Sequence, residues 1–347
     1  MTDTFEILSI GNAIVDILSH VDDDFISKHG LQKGAMRLVD ENESMAMLET
    51  LNNTMQAPGG SVANTAACVA SLGASSAFIG KVAEDILGHS FREELGRIGV
   101  SFSGGEFLEG ISTANCLAVV TPDGERTMST YLGACRELGA TDIEEDLVAN
   151  SKTLFLEGYL LDSPKTAAAL RQATTYAKKH KTTVALTLSD ANCVRRNSLQ
   201  FRSLIKDGKR GQVDILIANE KEISALLDVM GFDVEDTDRA IAICRDNFEF
   251  TTVITLGGDG AVSISKKKVT KVPAFGVERI VDLVGAGDSF AAGYLVGHAR
   301  DLPAEECLLL GAASAAEVIT IDGARPIRPL AELPVVSQIL HNAAPSA

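Results

Sequence analysis

A rhythm that sets in at Thr153 constrains this chain most. "TLFLEG" and "TTVALTLS" are short runs rich in apolar and β-branched residues, and "SPKTAAALRQATTYAKKH" between them has the spacing of an amphipathic helix. "VDILIANEKEISALL" then reads as strand followed by helix, and "TTVITLGGDGAVSIS" as strand, turn and strand. Strands that alternate with amphipathic helices require a parallel sheet covered on both faces. In such sheets ligands bind beyond the carboxyl ends of the strands.

The amino-terminal half begins in the same way. Phe5 to Ile10 has the look of a buried strand ending at Gly11, "GGSVANTAACVASLG" that of a helix of small residues, and Ser76 to Ile79 that of a second strand. "SFREELGRIGV" is a helix with a charged face, and "NCLAVVTPDGERTMSTYL" is a hairpin around "PDGE" that breaks the alternation. Residues 16–40 and 101–132 are too polar and too hairpin-like for the main layers. They are expected to form a small β lid, with 1–15, 41–100 and 133–340 making the large α/β unit. The last residues, "HNAAPSA", read as frayed.

Composition removes several function classes. The net charge of -16, from 31 basic and 47 acidic residues, argues against a nucleic-acid groove or an anionic membrane surface as partner. Six cysteines without a CxxC pair suit buried, reduced thiols rather than disulfides or a zinc knuckle. The opening "MTDTFEILSIGNAIVDI" lacks a basic n-region, and no apolar run approaches the roughly 20 residues of a membrane span, so a cytoplasmic protein is expected.

"VGAGDSFAAG" at Val284 to Gly293 carries the chemistry. Arg279 to Val284 reads as an extended apolar strand and Ser289 to Ala299 as a helix, with the glycines at the turn between them. At a helix N-terminus free backbone N–H groups and the dipole favour an anion, and Gly285, Ala286 and Gly287 are small enough to let one reach the backbone. Asp288 would repel a bound phosphate unless its task is to take a proton from an attacking hydroxyl. A tight turn with Asp288 as N-cap fits the same residues. A dinucleotide fingerprint fits poorly, since Phe290 is large, and no Walker lysine loop is present.

These residues carry a resemblance. "DLVGAGDSFAAG" resembles the carboxy-terminal signature of the ribokinase-like (PfkB) carbohydrate kinases, and "PGGSVANTA" at Pro58 to Ala66 is similar to their paired-glycine signature. "NEKE" at Asn219 to Glu222, "TLGGDGA" and "AASAAEVITIDGAR" follow in the family's order. The resemblance implies a three-layer α/β/α fold with a mostly parallel sheet and a small β-sheet lid. It further implies in-line phosphoryl transfer from ATP to a primary hydroxyl, with Asp288 as base and the N–H groups of Gly285, Ala286, Gly287 and Asp288 as anion hole. By the same resemblance Thr255, Gly257, Gly258 and Gly260 lie on the ATP side, and Asn219 and Glu222 help hold Mg²⁺ through water. Asn219 and Glu222 equally suit the start of a helix as a capping pair. Leu283 stands where the family usually has threonine, which bears on any monovalent cation beside the loop.

Within the family, "GNAIVDI" and "ALTLSDANC" resemble adenosine kinases. That match makes Asp16, Gly60 and Asn64 ribose ligands and places Asn12 near the base. Arg126 corresponds to a basic lid residue that approaches the transferring phosphoryl group, or is a surface arginine of the "DGER" turn. Ribose, fructose or a ketodeoxy acid as acceptor would use the same catalytic motifs, and a binding-only nucleoside sensor would use the same fold. The assembly expected is a monomer or a homodimer paired through lid strands such as Cys116 to Val120.

Overall fold

The computed structural model describes residues 4–104, 109–209 and 211–342; five residues of the tail expected to fray, 343–347, lie outside them. Its larger sheet has nine strands. In spatial order these are Lys268–Val272, Ala261–Ser265, Thr251–Thr255, Ile215–Asn219, Thr183–Thr187, Ser151–Glu157, Phe5–Ile10, Ser76–Ile79 and Val100–Ser103. Ala261–Ser265 runs antiparallel to both neighbours, and the other pairings are parallel.

Alternate residues of these strands feed two separate cores. Ile7, Phe155, Ala185, Ile217 and Val253 pack on one face, while Leu8, Leu154, Leu186, Leu216 and Ile254 pack on the other. Both faces are apolar because both are covered. Helices Pro164–His180, Glu220–Val229 and Thr237–Asn247 close the second face, and Ser61–Ser71, Ala286–Ala299, Ala304–Val318 and Pro334–Asn342 close the first. The expected α/β/α layering with its small second sheet is the observed fold.

The second sheet has five strands in the order Met36–Leu38, Arg126–Tyr131, Ala114–Val120, Ile14–His20 and Met55–Gly59. Two strands lie on the other side of the boundaries read from the sequence. Met55–Gly59 pairs with Ile14–His20 in the small sheet, and Val100–Ser103 pairs with Ser76–Ile79 in the large one. Each is too short to declare its sheet by composition, and the pairing partner decides. Ala114–Val120 is hydrogen-bonded on both edges, so Cys116 to Val120 has no free backbone with which to pair across subunits.

Arg279 to Val284 forms no strand, and Val284 already lies in the turn before the helix. The segment pairs with no strand of either sheet, and the N–H groups of Val281 and Asp282 turn instead to the carbonyl of Ile319. Ile280 and Leu283 are consequently exposed. The six cysteines are free thiols, five buried and Cys116 half-buried. No helix among the described residues is long and apolar enough to cross a membrane.

The helices Ala286–Ala299 and Ala304–Val318 touch backbone to backbone: a Cβ on Gly293 would lie 2.4 Å from the Leu310 carbonyl oxygen. Gly293→Ala should therefore force the pair apart and lower stability by about 1–3 kcal/mol. Urea denaturation checks this, and an unchanged midpoint would show that the contact is not rigid.

Candidate active site

Two helices that begin on glycine meet at their first turns. Gly60 (φ 89°) precedes Ser61–Ser71 and Gly285 (φ 80°) precedes Ala286–Ala299, both in the left-handed region that glycine enters without a Cβ penalty. Space forbids a side chain as well: a Cβ on Gly60 would sit 2.3 Å from the Asn12 carbonyl oxygen, and one on Gly285 2.5 Å from the Ala324 Cα. Where the two turns meet, Asp288 accepts hydrogen bonds from Ser61 Oγ at 2.7 Å and Asn64 Nδ2 at 3.2 Å. Burial pushes its carboxyl up to about 6, against the pull of those bonds and of the Arg325 charge.

Of the cradle residues, Gly287 is exposed and has open space where its side chain would be. The Ala286 N–H is directed to the Leu283 carbonyl at 3.3 Å, so in this conformation it already has a partner. A cavity of about 100 Å³ runs from Ser61, Gly287 and Asp288 to Asn219 and Thr255, at the ends of neighbouring strands, and to Glu222 in the helix that follows Asn219. Residues more than 200 positions apart thus share one space, at the carboxyl ends of the parallel strands.

Asn219 and Glu222 form the reciprocal capping pair in full. Glu222 N–H donates to Asn219 Oδ1 at 2.9 Å, while Asn219 N–H and Nδ2 donate to the two Glu222 carboxylate oxygens at 3.0 and 2.6 Å. Burial raises the Glu222 carboxyl to about 7. In the turn after Thr255, Gly257 and Gly258 are exposed and unobstructed, whereas a Cβ on Gly260 would lie 2.0 Å from the Val272 carbonyl oxygen. Gly260 is thus required by the turn itself.

On the lid side, Asp16 lies on Ile14–His20 with its carboxylate against Gly59, where a Cβ would come within 2.3 Å of it. Burial raises this carboxyl too, to about 6, opposed by Arg325 and Arg126. Arg126 is not a surface residue of the turn: it opens Arg126–Tyr131, and its Nη1 donates to Asp282 Oδ2 at 2.9 Å. Asp282 Oδ2 also accepts from Gly323 N–H, so this pair ties the lid to the approach of the glycine loop.

Residues 35–330 match the pfkB family of carbohydrate kinases. The chain belongs to that family. Its fold is similar to a crystal structure of adenosine kinase from Sinorhizobium meliloti, 40% identical, with a TM-score of 0.85 over 99% of this chain and 100% of that one. It is also similar to a probable sugar kinase from Rhizobium etli, 36% identical, with a TM-score of 0.87 over 98% and 100% of the two chains. A 5-dehydro-2-deoxygluconokinase of Geobacillus kaustophilus is 29% identical over 79% of this chain and 82% of its own. This pfkB kinase is accordingly a phosphotransferase with an alcohol group as acceptor, of the sugar and nucleoside kinase class, and the family implies ATP as donor.

Two residues of the kinase's site escaped the sequence reading. Arg325, in the segment behind the glycine loop, donates through Nε to Asn64 Oδ1 at 3.0 Å. Glu157, at the end of Ser151–Glu157, accepts from the backbone N–H groups of Asn12 at 2.8 Å and Val62 at 3.4 Å. It thereby joins the two places where the chain passes between sheets. A glutamate ending the otherwise apolar "TLFLE" was the available signal for Glu157; Arg325 had none beyond its place in a closing motif.

Glu157 is 1% exposed, and burial pushes its carboxyl from 4.5 up to about 8. A carboxyl raised on folding binds its proton more tightly in the native state, so stability is lost as pH rises from about 4.5 through 8. Denaturation at pH 5 and pH 8 should show wild-type losing more stability than Glu157→Gln, by an amount on the order of a few kcal/mol. Equal losses would show that Glu157 does not carry this charge.

Proposed function

We propose that this kinase transfers the γ-phosphate of ATP to the primary hydroxyl of a neutral polyhydroxy acceptor, a nucleoside, and specifically to the 5′-hydroxyl of adenosine. One observation carries the reading: Asp288 sits at the junction of two helix N-termini, held by Ser61 and Asn64, at the edge of the cavity that reaches Asn219 and Thr255. There a carboxylate oxygen can take the proton of an acceptor hydroxyl as its oxygen attacks the γ-phosphorus in line and ADP leaves. The open backbone at Gly287 and the N–H groups of the first turn face the charge that develops on the phosphoryl oxygens.

The remaining residues divide between the two substrates. Asp16, with two acceptor oxygens, suits a vicinal diol, with Gly60 and Asn64 beside it and Asn12 at the hinge. Thr255, Gly257, Gly258 and Gly260 shape the turn for the ATP phosphates. Arg126 exchanges Asp282 for the transferring group when the lid closes and excludes water. Asn219 and Glu222, one amide and one carboxylate, suit a hard cation that keeps most of its water and takes phosphate oxygens, and bound Mg²⁺ would supply charge neutralisation there. Residue 283 offers a monovalent cation no side-chain oxygen.

Charge favours a neutral acceptor. The carboxylates of Asp16 and Asp288 flank the acceptor side, and an anionic sugar acid would be repelled by them. The similarity to the Sinorhizobium meliloti adenosine kinase over nearly the whole chain favours a nucleoside over a free sugar.

ADP release from Mg-ATP in the presence of adenosine, ribose, fructose and a ketodeoxy acid tests the reading: adenosine should be turned over fastest, and absence of turnover with every acceptor would indicate a binding protein. Asp288→Asn should lower kcat by about 10² to 10⁴ and leave ATP binding largely intact. Because the base must be ionised and its carboxyl lies near 6, wild-type kcat should fall as pH drops through that value. An Asp288→Asn enzyme of normal rate would refute the assignment.

A further inference from the structure

Arg325 holds more hydrogen-bonding capacity than the protein uses. Its Nε is spent on Asn64 at 3.0 Å, and Asn64 passes the contact on to Asp288 at 3.2 Å. Its Nη1 and Nη2 are shut off from water and lack a partner among the described residues. A guanidinium has five N–H donors and no acceptor, so four donors are left without a protein acceptor. Buried donors of this kind are costly, and a structure retains them where a ligand completes them. Through Asn64 the guanidinium stands one residue removed from Asp288, and the charges of Asp16 and Asp288 both act on it.

The chemistry of a vicinal diol says what is missing there. Each hydroxyl donates one hydrogen bond and can accept others, yet Asp16 in its ionised form can only accept. Asn64 has its oxygen and one N–H engaged already.

We propose that Arg325 is an acceptor-binding residue: Nη1 and Nη2 donate to the diol oxygens whose protons Asp16 receives, while Nε holds the Asn64 amide in the orientation that serves Asp288. This rests on the acceptor site proposed above. It makes acceptor selectivity depend on a residue outside the paired-glycine and glycine-loop motifs, brought in by the chain that returns after Ala304–Val318.

The test compares kcat/KM for adenosine, 2′-deoxyadenosine and 3′-deoxyadenosine in wild-type, Arg325→Gln and Arg325→Lys enzymes. Arg325→Gln should lose about 10- to 100-fold with adenosine and much less with the analogue that lacks the contacted hydroxyl, leaving KM for ATP in place. Arg325→Lys, which keeps the charge without the fork, should recover part of the loss. An equal loss with all three acceptors would mean a structural role and overturn the proposal. If Arg325→Gln does not fold, the lysine variant decides by the same criterion. If wild-type enzyme prefers a sugar to adenosine, the nucleoside reading falls, and the comparison repeated with that sugar and its deoxy forms decides on Arg325 independently.

Discussion

The candidate site depends on one contact, the pair of hydrogen bonds by which Ser61 and Asn64, on one helix, hold the Asp288 carboxylate on another. The two helices lie on the same face of the large sheet and can approach because each starts on a glycine. Their first turns meet there, with the Ala286 N–H already given to the Leu283 carbonyl and the Val62 N–H to Glu157. A carboxylate there is half-buried and hydrogen-bonded on both oxygens, and desolvation raises its pKa to about 6 against the pull of those bonds. A group so poised can take a proton at neutral pH without being held too tightly by its own partners.

The lid depends on the same junction. The chain leaves the large sheet through residues 11–13 and re-enters at Gly60, and these crossings touch, with Gly60 packed on the Asn12 carbonyl. Glu157 fastens both crossings from below through the N–H groups of Asn12 and Val62. The small sheet is thus fastened to the large one at a short crossing beside Asp288. From the opposite side the Arg126–Asp282 pair links the lid to the loop that carries Asp288.

Much of the fold was legible in the residues because each βα unit declares itself locally. Alternate apolar residues marked the strands, helical spacing marked the covering helices, and the hairpin at 114–131 was marked by its turn. What misled was apolar sequence without a partner: Arg279 to Val284 has strand-like residues, but its N–H groups at 281 and 282 bond to the Ile319 carbonyl after a helix and not to a strand. The short strands at 55–59 and 100–103 were misplaced for a related reason, since the sheet that a strand joins is a matter of which edge it meets.

By itself the sequence determined the layered architecture and the glycine-led helix start that carries Asp288, because those features follow from local periodicity and local backbone geometry; Asn219 and Asp16 became residues of interest through the family resemblance. Only the tertiary structure decided which of them share a space. It brought Arg325 to Asn64 across 261 positions and Glu157 to Asn12 across 145, and it gave Arg126 an acidic partner in the glycine-loop approach. Contacts of that range are set by how the sheet and its returning chain pack, and no window of neighbouring residues contains them.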